Sequence, residues 1–150
     1  MSAPAIELCD AIVSDLDANK ASFDVDFDVS RVALISKAIK EVKDQCKVAV
    51  RPLEVLRTRQ ARGKVHRTIR AGVAVMKKVP AASNTEPDEL QAFAEDICEF
   101  FDPEASGPRT LADCEDAFLT EAKIETPYVD DMLAEEHVFV CPITLTYIRR

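Results

Sequence analysis

The run "VHRTIRAGVAVMKK", residues 65–78, constrains the fold more than any other part of the chain. Val65, Ile69, Ala71, Val73 and Val75 fall on one side of a period-two pattern. His66, Thr68, Arg70, Met76 and Lys78 fall on the other, and Arg67 alone breaks the alternation. An extended segment of this length needs partner strands for its backbone groups. The preceding residues supply one. "CKVAVRP" reads as a short strand stopped by Pro52, "LEVLRTRQ" as a second short extended run, and Gly63 in "ARGK" turns the chain back as a hairpin with a basic tip. Gly72 marks a bulge or a close backbone approach.

The flanks add helices and further strands. Ile6, Cys9, Ile12, Val13 and Leu16 recur at helical spacing behind Pro4, which suits a first turn, so an amphipathic helix is expected to end near Asn19. "FDVDFDVSRVAL" alternates Phe23, Val25, Phe27 and Val29 with Asp24, Asp26 and Asp28, a half-buried strand. Its DxDxD spacing lacks the glycine and distal glutamate of a calcium loop. "SKAIKEVKD" is a short polar connection with one helical turn at most. The clearest helix spans 86–101, with Leu90, Phe93, Ala94, Ile97, Phe100 and Phe101 as its buried stripe. Thr85 and Asp88 form a capping-box-like pair before it, and Pro103, Gly107 and Pro108 end it. "EDAFLTEAKIET" reads as a strand and "PYVDDMLAEE" as a turn or a helical turn. "HVFVCPITLTYIRR" closes the chain as a strand whose Pro142 requires an edge or a bulge. Strands follow strands, so one α+β domain over residues 1–150 is expected. Its sheet is mainly antiparallel and packs against an N-terminal helix and a central helix, with a protruding β-hairpin.

Charge is strongly segregated. Residues 1–50 hold 9 acids and 6 bases, residues 51–78 hold 1 acid and 9 bases, and residues 79–150 hold 17 acids and 4 bases. The nets of −3, +8 and −13 give the overall −8. No stretch approaches a membrane span, and the first residues lack the basic and apolar segments of a secretory leader. A protein made and kept in a cytoplasm, or in something assembled there, is expected. The five cysteines, Cys9, Cys46, Cys98, Cys114 and Cys141, have no CxxC spacing and are expected to be reduced and mostly buried. Zinc, cofactor and nucleotide motifs are absent, and neither His66 nor His137 stands in a nucleophile motif, so no catalysis is expected.

In order and spacing, the chain resembles the tail terminator or tail completion proteins of long-tailed bacteriophages. The resemblance runs over almost the whole chain. It comprises the helix "AIELCDAIVSDL", the extended "FDVDFDVSRVAL", "KVAVRP", the arginine-bearing hairpin, "GVAVMKKV", the helix "DELQAFAEDICEFF" and the terminal "HVFVCPITLTYIRR". It implies a non-catalytic virion protein of the tail or neck, assembled in the host cytoplasm and forming a ring, usually a hexamer. Such a ring caps the tail tube protein, ends tube polymerisation and meets the head–tail connector or neck protein. It needs no cofactor and no membrane, and DNA passes through it without specific binding. A mainly negative lumen would suit that passage, because few phosphate counterions would be released.

The basic residues Arg57, Arg59, Arg62, Lys64, Arg67 and Arg70 then have three readings. They form a subunit contact in the ring, a phosphate-tracking patch of a cytosolic nucleic-acid-binding module, or a solvated tip. A neighbouring head–tail adaptor is the nearest alternative within the virion. The block carries no Phe, Tyr or Trp on which bases could stack.

Overall fold

The computed structural model describes residues 3–80 and 85–149. Its architecture is α+β. In chain order the elements are α1 (Pro4–Ala18), a 3-10 turn (Lys20–Ser22), β1 (Phe27–Arg31), α2 (Ile35–Lys40), β2 (Cys46–Ala61), β3 (Lys64–Lys78), α3 (Thr85–Phe101), β4 (Ala117–Ile124), α4 (Asp130–Glu135) and β5 (Val138–Arg149). The five strands form one sheet in the order β1-β2-β3-β5-β4. All pairs are antiparallel except β1 with β2, which run parallel across the α2 connection.

One face of the sheet carries the main core. Val48, Val50, Ile69, Ala71, Val73 and Val75 join Phe139, Cys141, Ile143, Leu145 and Tyr147 there, under Leu8, Ile12 and Leu16 of α1 and Leu90, Phe93, Ala94, Ile97 and Phe101 of α3. Phe23 ties this layer together, with ring centroids 5.6 Å from Phe27, 5.6 Å from Phe93 and 5.4 Å from Phe100. Among the described residues, the second face is covered at one end only. There α2 and α4 pack Ile35, Ala38, Ile39 and Met132 onto Ala49, Ala74, Met76, Val138 and Val140.

Several boundaries differ from the sequence expectation. β2 is one continuous strand through Pro52, where two extended runs were expected; the chain absorbs the proline with an irregularity between Pro52 and Glu54. β1 begins at Phe27 rather than Phe23, because only Phe27–Arg31 finds a partner, Cys46–Val50. The expected alternation of burial nevertheless extends upstream, with Asp24, Asp26 and Asp28 exposed. Thr85 is already helical, so the cap position falls outside the described residues. Gly107, at φ +76°, and the bond from Arg109 N–H to Phe101 O (2.8 Å) close α3 as its trailing residues suggested. Pro142 stands just beyond the last β4–β5 pair, Ile124–Ile143, and its carbonyl accepts from Glu125 N–H at 3.2 Å. Its missing donor therefore faces a loop rather than a strand.

Candidate assembly surface

β2 and β3 are longer than the core beneath them. Their tips meet in the two-residue turn Arg62–Gly63, with Ala61 paired to Lys64 and Gly63 at φ +79°, a conformation costly for any residue with a Cβ. From Leu53 to Lys64 every residue is exposed. β3 pairs with β5 only from Arg67 inward, so the end of the hairpin extends as two strands.

The irregularity at Pro52 decides which way the arginines point. Val48 and Val50 face the main core, and uninterrupted alternation would place Leu56 and Thr58 on that side. The extra residue, Leu53, shifts the phase by one. Val55 is then opposite Ile69, Arg57 opposite Arg67, and Arg59 opposite Val65, all on the side that bears α1 and α3. Leu53 itself lies over Gly72 on the second face. A Cβ at Gly72 would come within 3.1 Å of Cγ, Cδ1 and Cδ2 of Leu53, so the glycine makes room for the bulge.

The six basic residues are thus not one patch. Arg57, Arg59 and Arg67 share the helix-bearing side. Arg62 lies in the turn and Lys64 follows it. Arg70 faces the other way and is engaged within the subunit, with Glu54 at 3.4 Å and Glu125 at 3.6 Å. None of the other five makes an ion pair among the described residues. Arg57 and Arg67 are directly opposite one another, an arrangement that is destabilising in an isolated sheet. The next residue in that ladder row, Arg149, is neutralised: its Nη2 lies 2.7 Å from Glu7, its Nε donates to Asp116 at 3.1 Å and its Nη1 to the Pro4 carbonyl at 3.0 Å. Partial burial acts to raise the Asp116 carboxyl and is the largest single influence, but the hydrogen bonds from Arg149 and Cys114 and the Arg149 charge together outweigh it and hold Asp116 below its usual range.

Acids occupy other surfaces. Asp88, Glu89, Glu95, Asp96 and Glu99 line the exposed side of α3. On the second face, beside Leu53 and Gly72, an open depression of about 250 Å³ is bordered by Arg70, Glu125 and Thr144, whose hydroxyl donates to Glu125 at 3.1 Å. All five cysteines are free thiols, four buried and Cys98 half-buried. Burial pushes Cys46 and Cys141 up to about 12, and Cys9, Cys98 and Cys114 to about 11. Such thiols are weak nucleophiles near neutral pH. No group of three or more His, Cys, Asp or Glu among the described residues is placed to share a metal ion.

No protein-family model matches the chain, and no curated protein matches it. The functional reading therefore stands on the geometry and on the resemblance in element order.

The charge of the hairpin was legible in the sequence; its division between two faces was not. The signal that could have revealed it was Pro52 followed by Leu53, an apolar pair that disturbs the phase between two alternating runs.

Proposed function

We propose that the chain is a virion structural protein that forms a ring at the head-proximal end of a phage tail, ends tube polymerisation and joins the tail to the head connector. The observation that carries this reading is the row of cations on a projecting hairpin. Arg57, Arg59 and Arg67 share one side, two of them directly opposed, with no acid paired to them among the described residues. Their charge is balanced most readily by an acidic surface on another molecule. The rest of the same chain supplies one, since residues 79–150 carry −13. Opposite poles on one subunit favour head-to-tail contacts, and such contacts close into rings when the rotation allows. Arginine suits the role because its planar fork pairs bidentately with carboxylates.

The ring acts by position and charge, without catalysis or cofactor. Each exposed ion pair contributes only about 0–1 kcal/mol, so several must act together. The test is complementation of a phage lacking this gene with the triple reversal Arg59→Glu, Arg62→Glu and Arg67→Glu. Tails of irregular length or failed head joining are expected, from a subunit that still folds. Normal tails of uniform length would refute the contact. Tight, salt-sensitive DNA binding by the unmodified protein, lost in the reversal, would favour the nucleic-acid module instead.

A further inference from the structure

We infer that the free edge of β2 takes the β4 edge of a second copy, so that one antiparallel sheet continues from subunit to subunit. β1 covers β2 only as far as Val50, with Val32 N–H donating to Val50 O at 2.9 Å. From Arg51 to Ala61 no described strand lies on the outer side of β2. β4 is the opposite edge of the same sheet, and no described strand lies on its outer side. Open edges present unpaired N–H and C=O groups and are templates for another strand.

The side chains on the two edges match. Among the described residues the exposed large hydrophobic ones are Leu34, Leu53, Val55, Leu56 and Phe118, and four of these five lie on the two open edges. Leu53, Val55 and Leu56 are 43%, 50% and 53% exposed on β2, and Phe118 is 62% exposed on β4. The registers run Leu56–Thr68–Ile148–Phe118 across the sheet, so Leu56 and Phe118 end one ladder row and share one face. A second copy added without strand slip puts Phe118 beside Leu56. The next row, Val55–Ile69–Tyr147–Leu119, brings Val55 beside Leu119 on the other face. Both junction rows are then apolar, and cross-strand pairs of this kind stabilise sheets. β4 runs antiparallel to β2 across the sheet, so the junction repeats the direction found within the subunit.

Charge selects this pairing over its alternatives. Residues 51–62 carry four arginines and one glutamate, net +3, while residues 115–125 carry four acids and one lysine, net −3. Two β2 edges repel one another, as do two β4 edges, whereas β2 against β4 attracts. The contact is heterologous, and the inference rests on the ring reading for its closure.

The test places Leu56→Cys and Phe118→Cys in one chain and treats concentrated protein with a short bis-maleimide. The same sample is imaged by negative-stain electron microscopy. A denaturing gel should show a ladder of covalent oligomers reaching the ring size, while each single variant stays at the level of the unmodified chain. Rings without a ladder would overturn the edge pairing and leave the ring reading standing. A ladder with open chains would support the edge pairing and overturn closure. Neither rings nor ladder would overturn both. Leu56→Asp, at an exposed position, should keep the circular dichroism of the parent and weaken self-association by about tenfold or more. Unchanged association in that folded variant would also overturn the pairing.

Discussion

Arg57 and Arg67 face each other across two strands, although a sheet would ordinarily place an acid at one of those positions. Arg67→Glu should therefore stabilise the isolated subunit slightly, by about 0.2–1 kcal/mol in urea titration, because a cross-strand ion pair replaces a repulsion. The same change should weaken assembly, and loss of stability together with intact assembly would refute the role given to the pair. The thiols give a second prediction. All five have folded pKa values raised by burial, to about 11 or about 12, against about 8.5 in an unfolded chain. Their contribution is fully present below the unfolded value and is lost as pH rises through it toward the folded values, because only the unfolded state ionises there. Urea midpoints should fall between neutral pH and about pH 9.5. A midpoint that rises with pH over that range would contradict the burial.

At the scale of elements, the sustained apolar patterns are legible in the sequence and the interruptions are not. α1, α3, β3, β4 and β5 follow from apolar spacing alone, and Phe93, Ile97 and Leu145 do share one core. Ile97→Ala should cost about 2–5 kcal/mol in urea titration, since the side chain is fully enclosed beneath α3; a loss far below that range would mean that α3 does not pack on the sheet. From sequence β2 reads as two runs, because proline usually ends a strand. Here Pro52 sits where β1 has stopped, at a bulge on an open edge, and the missing N–H removes nothing that the sheet uses. The alternating run from Phe23 is longer than β1, because alternation reports which side chains are buried, not which backbones are paired. The parallel β1–β2 pair was invisible: its crossover helix, Ile35–Lys40, is six residues long and buries none of them fully. The basic block was plain in composition, but its division into Arg57, Arg59 and Arg67 on one side and Arg70 on the other depends on a one-residue phase shift that only the register reveals.

For the whole molecule, the core and the projecting hairpin have separate energetics. The helices and the inner halves of the strands carry the fold, while the hairpin end carries exposed charge and an open edge. The triple reversal of Arg59, Arg62 and Arg67 should leave the thermal midpoint of the subunit close to that of the parent while reducing the assembled fraction measured by light scattering. Raised salt should reduce assembly of the parent in the same direction, because screened surface charges attract less. Salt-independent assembly would place the binding energy in apolar contacts alone.

The two-stranded end of the hairpin has a mechanical consequence. Beyond Arg67 the ribbon has no third strand among the described residues, and none of its side chains is fully buried. It is a cantilever rooted at the Arg57–Arg67 pair, with the bulge of Leu53 over Gly72 nearer the core. Ribbons of this kind have little stability of their own. In the free subunit, backbone amides of residues 58–66 should exchange with solvent far faster than those of residues 69–76, and a neighbour that grips the lever should slow the first set without changing the second.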